Sequence, residues 1–206
     1  MVALPLFVKA QGHDKMCFDE KKEITLAGSK FSITSRAEIF SNGQKIAGLS
    51  LPKGFKPVCV VSSTFKTDLI IFLSLAATDY DEQRGFIFRL ATKESKIMWT
   101  SVIKNKVEPY SPFTNEKLLI VPAHGEVVSF NPDLGSVRWT FKNNDTEGVN
   151  FKKITLQGNI LQLESEAYAA APTPKFDVYV DGKPVPPKKE KTAVQLKSQQ
   201  PQEQSH

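Results

Sequence analysis

Short runs of apolar and β-branched residues are separated by clusters of Gly, Asn, Asp and Pro along most of the chain. The runs Ile24-Thr25-Leu26, Phe31-Ser32-Ile33-Thr34, Leu69 to Leu75, Leu118-Leu119-Ile120-Val121 and Ile160-Leu161-Gln162-Leu163 have strand length and strand composition. Helix-period spacing is nowhere sustained over a helix-length window. Glu164 to Ala171 is the one stretch with helical propensity, and Pro172 and Pro174 stop it, which predicts a single turn or a loop.

A repeat organises these runs. The segment Gly85 to Thr100 aligns without gaps on Gly125 to Thr140, forty positions later, with Gly matching Gly and Trp99-Thr100 matching Trp139-Thr140. Between the fixed points lie an apolar strand, a polar turn and a second strand ending on Trp. The turn is Thr92 to Ser95 in one copy and Asn131-Pro132-Asp133-Leu134-Gly135 in the other. Asn-Pro-Asp and a closing Gly supply turn dihedrals that other residues resist, so each copy predicts a β-hairpin.

Two further hairpins share the pattern without the Trp. Arg36 to Ala47 holds Asn42-Gly43, the pair that favours a two-residue type I′ turn, and Phe176 to Val185 holds the equivalent Asp181-Gly182. Turn centres near residues 42, 94, 133 and 181 are roughly forty to fifty residues apart, the spacing of propeller blades. Each hairpin is preceded by another strand-like run. The predicted fold is therefore all-β and antiparallel, with about four blade-like units of three to four strands, arranged as a small β-propeller or a β-sandwich. Four units must close on themselves, fold as a sandwich, or bury open ends against another subunit, which makes a homo-oligomer one of the expected outcomes.

Charge modifies this picture little. The formal net charge is +5, but five lysines and two acids lie from Lys183 onward, so the body carries only +2. A nearly balanced body does not point to nucleic acid, and only the tail offers a weak contact for a polyanion. Residues 1–187 read as a single all-β domain. The Lys-, Gln- and Pro-rich segment 188–206 reads as a disordered tail with too little apolar surface to offset the entropy of ordering.

Cys17 and Cys59 are too few for a disulfide framework, and Cys59 lies in the apolar run Val58-Cys59-Val60-Val61. Reduced cysteines and a reducing compartment are expected. The N-terminal run Met1 to Lys9 lacks a leading positive charge and carries Pro5, so it does not read as a signal peptide. No apolar run reaches the length of a membrane helix. A cytoplasmic protein with no membrane contact is the expectation.

The stretch His124 to Trp139 resembles the repeat of quinoprotein-like (PQQ-type) β-propellers, in which a Gly opens a strand, an Asx-Pro-x-x-Gly-like turn follows, and a Trp docks between neighbouring blades. Gly85 to Trp99 looks like a degraded second copy. The resemblance implies a packing role between blades for Trp99 and Trp139. It does not extend to the family's quinone, because seven or eight blades need nearly twice this length, so no cofactor is expected.

Material for catalysis is sparse. There are three histidines, one of them His206, and no phosphate-cradling Gly loop, nucleophile elbow, HExxH or CxxC. His13, Asp14 and Cys17 lack the second ligand pair that a structural zinc site requires, so no metal is expected. Thr78 to Arg84 is an insertion relative to the 118–125 copy, and places Asp79, Tyr80, Asp81, Glu82 and Arg84 on a hairpin loop. With His124 and Glu126 these are the candidate partner-binding residues. No catalytic residue is assigned. The leading reading is a non-enzymatic protein-binding module, such as a toxin-neutralising immunity protein or an assembly scaffold. Its alternatives are a carboxylate-dependent hydrolase or carbohydrate-binding enzyme using Asp79, Asp81 and Glu126, and a structural component of a phage or secretion apparatus.

Overall fold

The computed structural model describes residues 16–19, 21–26, 30–78, 82–105, 112–142, 149–166 and 175–186. These form four antiparallel sheets, and no helix occurs among the described residues. The first sheet holds β2 (Glu23–Thr25), β3 (Phe31–Thr34), β4 (Glu38–Ser41) and β5 (Gln44–Gly48) in that order. The second runs β1 (Met16–Cys17), β6 (Phe55–Phe65), β7 (Asp68–Ala77), β8 (Gln83–Ala91) and β9 (Lys96–Ile103). The third consists of β10 (Phe113–Thr114), β11 (Leu119–Ala123), β12 (Glu126–Phe130) and β13 (Val137–Phe141). The fourth has three strands, β14 (Asn150–Gln157), β15 (Ile160–Glu166) and β16 (Lys175–Tyr179).

The all-β, blade-like reading of the sequence describes this architecture, and the repeat extends to its irregularities. The gapless match predicts that residues forty apart are equivalent. The β8–β9 register shifts between Arg89 and Leu90, and the β12–β13 register shifts between Ser129 and Phe130, forty residues on. The first sheet bulges at the same place, between Ile39 and Phe40. Across these bulges Ile39 faces Ala47, Arg89 faces Trp99 and Ser129 faces Trp139. The three last strands are thereby put in register, and Ala47 stands where the next two sheets carry Trp.

Three shared cores join the sheets in chain order. Ile24, Phe31, Ile33 and Ile39 of the first sheet pack against Ile71, Leu73, Phe86 and Phe88 of the second. The opposite face of the second sheet, with Val61, Ile70, Phe72 and Ile87, packs against Leu119, Val121, Val128 and Phe130 of the third. Ile120, Val127 and Phe141 then turn to Phe151, Ile154, Leu161 and Val178 of the fourth. A central sheet buries both faces, which is why Leu69 to Leu73 is continuously apolar instead of alternating. None of these cores couples the fourth sheet to the first.

The two outermost faces are polar. On the first sheet Ser32 hydrogen-bonds Glu23 and Lys45 pairs with Glu38, and on the fourth Lys153 pairs with Glu164 across β14 and β15 at 3.3 Å.

Several expectations change. Cys17 and Cys59, expected to be reduced, face each other across β1 and β6 and form a disulfide. A two-residue edge strand brings them together, and spacing alone does not show such pairing. The cytoplasmic expectation drew on free thiols and loses that support. Glu164 to Glu166 continue β15, where pairing with β14, and at Glu164 also with β16, overrides helical propensity, and the remainder of that stretch, 167–171, lies outside the described residues. Asn42 and Gly43 both take positive φ, as a type I′ turn requires, but of Asp181-Gly182 only Gly182 does. Gly182 closes a turn by donating its N–H to the Tyr179 carbonyl at 2.8 Å. The tail 188–206 lies outside the described residues.

Candidate functional site

The Asn131-to-Gly135 turn is built by its own chemistry. The Asn131 side-chain carbonyl accepts the N–H groups of Asp133 (2.9 Å) and Leu134 (3.2 Å), and Gly135, at φ +71°, donates to the Asn131 backbone carbonyl at 2.8 Å. This folding presents the Pro132 carbonyl and the Asp133 carboxylate to the second sheet. Trp99 Nε1 donates to Pro132 O at 3.1 Å. Arg89 donates to the same carbonyl at 3.3 Å and to Asp133 Oδ1 at 3.0 Å, and Lys66 reaches Asp133 at 3.2 Å.

Arg89 is itself fixed from behind. Asp68, buried at the start of β7, accepts from it at 2.7 Å, and its guanidinium lies 4.9 Å from the centre of the Phe65 ring. The Lys66 hydrogen bond, more than that of Arg89, holds the Asp133 carboxyl below its ordinary pKa, against a smaller upward push from burial.

The third and fourth sheets repeat the arrangement with fewer charges. Trp139 Nε1 donates to Val180 O at 3.0 Å, and its ring lies against Gly182. Both Trp residues are half-buried and pack between sheets, the role the family resemblance implied.

Four large apolar residues are exposed among the described residues. They are Met98 and Val102 on β9, Leu134 at the tip of the turn, and Val137 at the start of β13, with Leu134 70% exposed. Both strands are sheet edges. Met98 is the extra residue of the β8–β9 bulge, since Leu90 faces Ile97 and Arg89 faces Trp99. The docking of Trp99 against Gly135 brings β9 beside the turn that carries Leu134. The exposed apolar residues, the rim, therefore sit on two strands that end their sheets among the described residues and on the turn that receives Trp99.

The residues predicted from sequence lie elsewhere. Asp79, Tyr80 and Asp81 fall outside the described residues. Glu82 and Arg84 pair with each other at 2.7 Å, and Arg84 stacks over Phe55 with 4.6 Å to the ring centre. His124 Nδ1 lies 2.9 Å from Asn150 Oδ1, and the adjacent Gly125 N–H donates to Val149 O, so this turn is tied to the fourth sheet. Glu126 opens β12 and is half-buried. No hydrogen bond or ion pair among the described residues joins Glu82 or Arg84 to His124 or Glu126. Of the rim, only Leu134 left a sequence signal, as an apolar residue inside a polar turn. Exposure of the others follows from edge position.

No family model and no curated protein matches the chain. Among solved structures, BamB from Moraxella catarrhalis is similar at 12% identity and a TM-score of 0.38, covering 87% of this chain and 66% of its own. No helix among the described residues is long and apolar enough to cross a membrane.

Proposed function

We propose that the chain is a non-enzymatic protein-binding module that engages its partner through the rim of Met98, Val102, Leu134 and Val137. The observation that carries this reading is that the exposed large apolar residues among those described lie on two edge strands and on the turn that receives Trp99. Apolar side chains beside unpaired strand backbone form a surface that another protein covers more readily than a small polar ligand does. The locks behind the rim hold it in one shape before binding, which lowers the ordering cost of association. A toxin-neutralising or scaffolding role is the finer form of the same proposal.

The test is affinity capture with the wild-type chain and with a Leu134→Ser/Val137→Ser variant of equal melting temperature. A stoichiometric protein retained by the wild type and lost from the variant supports the reading. Equal capture by both, or a solitary protein that turns over a substrate, overturns it.

A further inference from the structure

Three interfaces join the four sheets, and the indole lock occupies two. At the first interface Ala47 stands where the later sheets have Trp99 and Trp139, and Ser95 stands where the third sheet has Gly135. Ser95 keeps the left-handed backbone, at φ +52°, while carrying a Cβ.

The Cys17–Cys59 disulfide lies within the second sheet, joining β1 to β6 just before the chain enters the first sheet and just after it leaves. Among the described residues strand β1 pairs Met16 with Val60 and Cys17 with Cys59. Phe18 follows, donating its N–H to Val58 O at 2.8 Å and burying its ring in the core shared by the first and second sheets. The chain then leaves to build β2 to β5 and returns at Phe55 to begin β6. The disulfide, with a sequence separation of 42, therefore closes a loop that contains the whole first sheet.

We infer that Cys17–Cys59 is a redox-sensitive latch that closes the chain loop holding the first sheet, at the one of the three interfaces where no indole lock is seen among the described residues. Oxidised, it anchors the sheet before β2 while the 49–54 link anchors it after β5. Reduction by a dithiol transfers two electrons and two protons, breaks the S–S bond into two thiols, and closes a disulfide in the reductant. The first sheet then rests on the 49–54 link and its apolar contacts, and β1 with Phe18 is released from the edge of β6. Opening exposes the face of the second sheet that carries Ile71, Leu73, Phe86 and Phe88.

The experiment uses the full chain equilibrated in an oxidised-glutathione buffer, with thiols counted after unfolding and amide exchange followed by mass spectrometry. The same measurement follows reduction with dithiothreitol and alkylation. The oxidised protein is expected to show no free thiol. On reduction, amides of β2 to β5 are expected to exchange on the order of tenfold faster or more, with β11 to β15 unchanged. Two free thiols in the oxidised buffer overturn the inference, and so does unchanged exchange on reduction. Uniform acceleration across all four sheets also overturns it, because the bond would then hold the whole fold and not one sheet. Reduction of the wild type needs no variant that could fail to fold.

Discussion

The ring of Trp99 covers the α-carbon of Gly135, and a Cβ added there would stand 2.8 Å from Trp99 Cγ. Gly135 also holds φ at +71°, so one residue meets two demands, a left-handed turn and a close approach by an indole from the neighbouring sheet.

Gly135→Ala is expected to destabilise the protein by about 2–4 kcal/mol, combining the left-handed backbone cost with overpacking. Urea unfolding of the variant alone and in a Trp99→Ala background separates the two terms. The overpacking part should vanish when the ring is gone, and an equal cost in both backgrounds would refute the packing explanation.

Replacing each Trp by Phe keeps a ring and removes the indole N–H. Val180 O loses that donor in Trp139→Phe, whereas Pro132 O still accepts from Arg89 in Trp99→Phe. The first variant should therefore cost about 1 kcal/mol more than the second, read from denaturation midpoints at constant slope. Equal losses would show that these hydrogen bonds do not distinguish the two locks.

Arg89 has one buried and one exposed carboxylate partner. Asp68→Ala leaves the guanidinium with only its exposed carboxylate and the Pro132 carbonyl and is expected to cost about 2–3 kcal/mol. Asp133→Ala removes an exposed partner and should cost less than about 1 kcal/mol. The reverse order in chemical denaturation would contradict the geometry.

The lowered pKa of Asp133 gives a pH dependence of known sign. Its charged form is favoured in the folded state, chiefly by the Lys66 hydrogen bond, so its stabilisation is present above the ordinary value of 3.8 and is lost as pH falls through the lowered one. Compared with Asp133→Asn, the wild type should lose additional stability below about pH 4. The difference should be small and shrink in 1 M salt, since the pair is exposed to solvent. Thermal melts across pH at two salt concentrations test this.

Much of the fold was legible because its signals are local. Asn42-Gly43 specified its own hairpin, and the Gly-to-Trp match located equivalent strands down to the bulge at Arg89 and Ser129. Strands β6 and β14 were not marked as members of the unit. Pro57 interrupts the apolar pattern of β6, and β14 carries Lys152-Lys153 between its apolar residues. The candidate site was much less legible. Glu82, Arg84 and His124 stood out as chemistry-bearing side chains on turns, yet the structure engages each with a neighbour. Exposure at Met98 and Val137 depends on which strand ends its sheet, and residue type does not record that.

The sequence by itself determined the antiparallel all-β character, the approximate repeat and the turn positions, because strand propensity and turn dihedrals are set within a few residues. Only the tertiary structure decided that the sheets stack through three cores, that Trp99 settles on Gly135, and that Cys17 meets Cys59. Those contacts join residues about forty apart in the chain, and such a pairing depends on the relative placement of whole sheets, which burial of both faces of the central sheets fixes only once all the sheets are present.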